Sequence, residues 1–128
     1  MTRIAFTGIG MLAGILIGAA AVGGLNAQNA GPGAYAVVDI SEINDPATFV
    51  TLLPKAMQAN NQFGGKFLTR TENIVGLDGT PPKRFIVIGF ESMDKARAWD
   101  KSPVQGEVNA IRKKSTKSRV FLVDGELQ

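Results

Sequence analysis

The sequence predicts an α+β sandwich of βαββαβ order, a four-stranded antiparallel sheet with two helices on one face. Three observations carry this expectation. Between Ala34 and Asp124, apolar runs of strand length alternate with apolar stripes of helical spacing in that order. Capping residues and Gly/Pro/Asn/Asp turns punctuate the runs. The chain, 128 residues long, has the length of a single domain.

The first strand is predicted over Ala34 to Ile40, with Ala36, Val38 and Ile40 on one face and Tyr35, Val37 and Asp39 on the other. Asn44-Asp45-Pro46 opens the first helix: Asp45 can cap free amides, and Pro46 suits the first helical position. Phe49, Leu52, Leu53, Ala56 and Met57 follow at helical spacing. Pro54 removes a backbone donor inside this run and predicts a kink, or a split into two pieces. Asn60-Asn61 and Gly64-Gly65 end the helix, and the second strand runs from Lys66 to about Ile74. A polar hairpin over Gly76 to Pro82 leads to the third strand, Arg84 to Phe90. This strand is apolar on both faces, with Phe85 and Val87 on one side and Ile86, Ile88 and Phe90 on the other. Ser92 caps the second helix and Asp94 favours its positive end, while Met93, Ala96 and Trp99 supply the buried stripe. Ser102-Pro103-Val104-Gln105 reads as a fresh helix start with a capping box, continued by Val108 and Ile111. The last strand is expected over Arg119 to Asp124.

Two split βαβ units in this order make a ferredoxin-like sandwich. Its central strands are the first and third, which are also the most apolar. The second, carrying Lys66, Arg70 and Glu72, suits an edge.

Ahead of the domain, Arg3 precedes an uncharged Gly/Ala-rich run from Ile4 to Leu25. This reads as a secretory signal peptide over residues 1–27, with Ala27 as its last residue. The alternative is an uncleaved anchor in the inner membrane, since the run reaches the roughly 20 residues that a bilayer needs. A linker over residues 28–33 and the folded domain over 34–126 follow. Both readings put the domain outside the cytoplasm, periplasmic or secreted in a bacterium.

Composition excludes several chemistries. The chain has no cysteine and no histidine, so a disulfide framework, a thiolate nucleophile, a Cys/His zinc site and an imidazole base or axial haem ligand are all ruled out. Carboxylate-only magnesium or calcium sites stay open to this composition, but no Asp/Glu cluster has the spacing of a known cation loop, and no metal site is expected. The net charge of +3 is mild and implies no nucleic-acid partner. Contact with a membrane is expected only through an uncleaved leader.

Two helices cover only one face of a four-stranded sheet. Tyr35, Val37, Phe85, Val87 and one side of the last strand point to the other face. A second copy packed sheet against sheet would bury them, at about 1.5–3 kcal/mol per apolar side chain before the entropy of association is subtracted. A homodimer is therefore expected.

The ordered set of residues resembles the domain-of-unknown-function family 1330, within the dimeric α+β barrel superfamily. The likeness spans Ala34 to Gly125. It rests on Tyr35 to Asp39, Asp45-Pro46, Gly64-Gly65, Arg70, Leu77-Asp78-Gly79, Arg84, Phe90, Ser92, Ala96 to Trp99, Ser102-Pro103, Arg112 and Val123-Asp124-Gly125. Three positions depart from the family pattern: Gln105 where an aromatic residue is common, Glu91 where proline is common, and Asp78 in place of a glutamate. The resemblance implies a dimeric α+β barrel, and the superfamily implies small organic or aromatic ligands bound without a cofactor. Some barrels of the superfamily bind or degrade haem, which the missing histidine opposes.

Candidate ligand-binding residues are Tyr35, Asp39, Arg70, Arg84, Phe85 and Trp99. Asp39 is either a carboxylate in a dimer cavity, with a pKa raised toward general-base use, or half of an ion pair with Arg70 or Arg84, or a turn cap. Arg70 and Arg84 are either bidentate clamps for a carboxylate or plain strand charges. Tyr35 and Phe85 offer apolar walls, and Trp99 either covers a pocket mouth or packs in the core. The charge run of Arg112, Lys113, Lys114, Lys117 and Arg119 reads as a helix C-terminus offsetting its dipole, with anionic lipid or nucleic acid as the alternative partner. Two functions follow. One is a small-molecule binder or cofactor-free enzyme acting in the dimer cavity. The other is a non-catalytic exported interaction module. Whether there is catalysis stays open.

Overall fold

The computed structural model describes residues 31–125. The expected leader over residues 1–27 lies outside them, as does half of the linker, residues 28–30. Among the described residues, no helix is long and apolar enough to cross a membrane.

Strand β1 spans Ala34–Ile43, three residues beyond the expected end. The extension follows a register shift between Ile40 and Glu42 against the last strand, where Ser41 donates its hydroxyl to the Lys117 carbonyl at 3.1 Å. Helix α1 (Pro46–Phe49) is capped by Asp45, whose carboxylate accepts from the Thr48 amide at 3.1 Å and the Thr48 hydroxyl at 2.6 Å. These bonds hold the Asp45 carboxyl below the usual range. A 3-10 turn, Val50–Leu52, joins it to α2 (Leu53–Phe63). The expected split at Pro54 is thus realised: the proline falls in the first turn of the new helix, where no amide partner is lost. Gly64 ends α2 at a φ of 72°, a left-handed value that glycine adopts without strain.

β2 covers Lys66–Thr71 only, and the chain leaves the sheet before Ile74. β3 is Arg84–Phe90. α3 (Met93–Lys101) is capped by Ser92, and α4 (Pro103–Ser115) by Ser102, whose hydroxyl accepts from the Gln105 amide at 3.2 Å. The capping box is half formed, because the Gln105 side chain turns to Asn109 instead. α4 runs directly into β4 (Thr116–Asp124), which starts three residues ahead of the expected Arg119.

All pairings are antiparallel, in the order β2-β3-β1-β4. This is the ferredoxin-like sandwich, with the first and third strands central and the second at an edge. Ala34, Ala36, Val38 and Ile40 meet Ile86, Ile88, Phe90, Val120 and Leu122 on the helix side. Phe49, Ala59, Ala96 and Trp99 close over them. Phe90 and Trp99 pack ring to ring, their centroids 5.1 Å apart.

Candidate functional site

The six expected site residues divide between the two faces of the sheet. Period-two alternation places Tyr35, Asp39 and Phe85 on the face without helices. Arg70, Arg84 and Trp99 border a cavity between sheet and helices. The expectation that the first five share one dimer-side cavity is therefore corrected.

On the open face, Asp39 pairs in register with Phe85 on one side and Arg119 on the other. Its Oδ2 accepts from Arg119 Nε at 3.0 Å and forms an ion pair with Arg119 Nη2 at 3.0 Å. The expected ion pair thus forms with Arg119, not with Arg70 or Arg84, because those two arginines point to the opposite face. Val37, Val87 and Phe121 make an apolar band across three strands. Phe121 is 41% exposed and Val123 39%. Leu68 borders the same face, since a Cβ at Gly89 would meet it at 3.1 Å.

On the covered face, the sandwich does not close fully. A cavity of about 370 Å³ lies between the sheet residues Val38, Ile86 and Ile88 and the helix residues Phe49, Leu52 and Val108. Its volume falls in the range of ligand pockets. The 3-10 turn contributes Val50 and α2 contributes Leu53, both exposed to solvent at the rim.

The charged rim comes from the β2–β3 hairpin. Arg84 donates from Nη1 to Glu72 at 3.0 Å, and its guanidinium stands 5.9 Å from the centre of the Phe49 ring. Arg84 Nε is buried and has no partner. Arg70 lies over the Phe67 ring at 4.7 Å. A shift of register between Phe67 and Thr69 turns Arg70 to the helix side, opposite Ile86.

Three buried polar residues of the cavity were not expected as site residues: Asn60, Gln105 and Arg112. They are 3%, 4% and 8% exposed. Trp99, itself buried, donates its indole N–H to Asn60 Oδ1 at 3.1 Å. An indole can only donate, so this bond fixes the amide orientation and leaves Asn60 Nδ2 unpaired. Arg112 Nη2 donates to Asn109 Oδ1 at 3.2 Å. Gln105 must then offer its own N–H group to that oxygen, at 3.3 Å, which leaves Gln105 Oε1 unpaired. Arg112 Nη1 donates to Ser118 at 2.7 Å, and Arg112 Nε has no partner. Burial pulls the Arg112 pKa below its ordinary value, with Asp100 acting the other way. A guanidinium stays protonated all the same.

The signal for these residues was present as polar side chains at apolar-stripe positions. Gln105, Val108, Arg112 and Ser115 form the buried stripe of α4, and Asn60 sits one turn after Ala56. Arg112 is consequently no part of a solvated charge run, whereas Lys113, Lys114, Lys117 and Arg119 are exposed. Among the described residues, no group of three or more carboxylates could hold a metal ion.

The family model described as "Domain of unknown function (DUF1330)" matches residues 33–126. The chain belongs to this family. Among solved structures, this DUF1330 chain is similar to a protein of unknown function from Rhodopseudomonas palustris, at 13% identity and a TM-score of 0.62, over 77% of this chain and 85% of that one. A hypothetical Arabidopsis thaliana protein matches at 15% identity and 0.55, over 77% and 91%. SnoaB, a cofactor-independent oxygenase from Streptomyces nogalater, matches at 14% and 0.51, over 74% and 94%. At these identities the likeness shows the shared fold. No curated protein matches the chain significantly.

Proposed function

We propose that this DUF1330 protein binds a small organic molecule inside each protomer, in the cavity between sheet and helices. One observation carries the reading. Among the described residues, the four buried side-chain polar atoms without a partner are Asn60 Nδ2, Arg84 Nε, Gln105 Oε1 and Arg112 Nε. All four belong to residues that line this one apolar cavity. An unpaired buried polar group costs about 1–3 kcal/mol, and native proteins leave few of them. Their convergence on a pocket that is otherwise apolar is the arrangement of a binding site. Conversion of the ligand without a cofactor, as in the oxygenase SnoaB, is the enzymatic form of the same proposal.

The protein acts as a homodimer, its open sheet faces packed together. The apolar band of Val37, Val87 and Phe121, together with exposed Val123 and Leu68, supports a second copy as the cover. The dimer interface and the ligand cavity then lie on opposite sides of one sheet. Export by the leader completes the proposal, and intact mass of the native protein tests it: a chain retaining residues 1–27 contradicts cleavage.

Native mass spectrometry of the protein from its own source tests the binding itself. The expected result is a dimer carrying up to one small organic molecule per protomer. Protomers consistently bare, together with no response of the single tryptophan, Trp99, to small aromatic compounds, would overturn the proposal.

A further inference from the structure

The unpaired atoms of the cavity differ in kind, and the difference describes a ligand. At the floor, Asn60 on α2 offers a donor and Gln105 on α4 offers an acceptor. A continuous set of hydrogen bonds holds the two together. Trp99 donates to Asn60, the Trp99 carbonyl accepts from the Ser102 hydroxyl at 2.7 Å, and Ser102 accepts from the Gln105 amide. Asn60 is fixed by the donor-only Trp99 indole, and Gln105 by the Asn109 Oδ1 acceptor, itself held by the donor-only Arg112, so the pair cannot exchange its roles by flipping. The smallest group that accepts one hydrogen bond and donates another is a hydroxyl.

At the rim the chemistry is cationic. The ionised residues lining the cavity are Arg70, Arg84 and Glu72 at the rim and the buried Arg112 on α4, three guanidiniums against one carboxylate. Glu72 is engaged with Arg84 Nη1, which leaves the Arg84 Nε donor and the Arg70 charge without a counter-ion in the cavity. Arg70 keeps its charge in solvent at the mouth, and the buried Arg84 Nε is a donor that lacks an acceptor. A carboxylate supplies the missing charge and the acceptor oxygens together.

We infer that the ligand is a small apolar hydroxy acid. Its hydroxyl accepts from Asn60 Nδ2 and donates to Gln105 Oε1 at the floor, and its carboxylate meets Arg84 and Arg70 at the rim. The inference rests on the cavity being the ligand site. The cavity of about 370 Å³ holds about a dozen water-sized groups at about 30 Å³ each. That suits a single aromatic ring with a short acid side chain.

Three probes test the assignment: 3-(4-hydroxyphenyl)propionate, 3-phenylpropionate and neutral 4-propylphenol, each titrated into the full dimeric protein by calorimetry, with Trp99 emission followed in parallel. The hydroxy acid is expected to bind at least about tenfold more tightly than either single-group analogue, because each analogue leaves buried polar groups unpaired. Arg84→Gln should collapse the preference over 4-propylphenol, and Gln105→Leu the preference over 3-phenylpropionate. Should either variant fail to fold, the comparison of probes on the unaltered protein decides alone. If 4-propylphenol binds as tightly as the hydroxy acid, the carboxylate assignment falls while the cavity reading stands. If 3-phenylpropionate does so, the hydroxyl assignment falls. Binding of none of the three overturns this inference, and occupancy found by native mass spectrometry would then show that the cavity reading alone survives.

Discussion

The two faces of the sheet are built from the same strands and do opposite work. On the open face, polar groups find partners: Asp39 and Arg119 satisfy each other, and apolar side chains are left over. On the covered face the sheet's apolar side chains find partners, and polar atoms are left over. What a face lacks indicates what completes it. A surplus of grease calls for another protein surface. A surplus of buried donors and acceptors calls for a small molecule of complementary polarity.

The largest effect that can break this contrast lies on the covered face. Trp99→Ala removes a buried indole from the Phe90 contact and frees the Asn60 amide from its fixed orientation. Unfolding by urea, followed by circular dichroism, should show a loss of about 3–5 kcal/mol. A loss under about 1 kcal/mol would mean that Trp99 is a pocket-mouth residue and not part of the core.

Next in size is a change to the open face. Phe121→Lys places a charge in the apolar band at a side chain that the isolated protomer leaves 41% exposed. Dimer dissociation should strengthen at least a hundredfold in sedimentation, while ligand binding in the protomer persists. Coupled loss of both would join two surfaces that the account keeps apart.

Asp39→Asn is expected to act more weakly. An ion pair with one well-exposed partner contributes about 0.2–1 kcal/mol and is screened by salt. If the dimer covers the pair, its contribution should become insensitive to added salt, and comparing Asp39→Asn alone with Asp39→Asn in a Phe121→Lys background reads that out.

The smallest effect concerns the Asp45 cap of α1, the helix layer over the cavity. Hydrogen bonds from Thr48 lower its folded pKa below the unfolded value of about 3.9. The cap therefore stabilises the fold fully above that unfolded value, and its contribution is lost as pH falls through the lower, folded one. Melting curves of Asp45→Asn should lie slightly below those of the unaltered protein at neutral pH. The gap should narrow at pH below about 4.

Much of the fold was legible because local chemistry and pattern agreed. Asp45-Pro46, Ser92 and Ser102-Pro103 each cap a helix where they predict one, and Pro54 splits the first helix as expected. The parity of β3 was also readable: Arg84 shares its face with Ile86 and Ile88, and so belongs with the helices. Arg70 was not readable in this way. The register shift after Phe67 reverses its side, and no residue type announces it. Asn60 and Gln105 each carried a local role, helix end and cap, which hid their position on the buried stripes. The mutual fixing of their amides depends on Trp99, Asn109 and Arg112, contacts that exist only once the helices pack.

The most direct test of the central claim is to fill the cavity and look for the ligand. Val108 lines it from α4, and Val108→Phe should occupy the space that a ligand needs. The account predicts that the variant folds, keeps its dimer and loses the bound molecule in native mass spectra. A variant that folds and still carries the molecule would contradict the account.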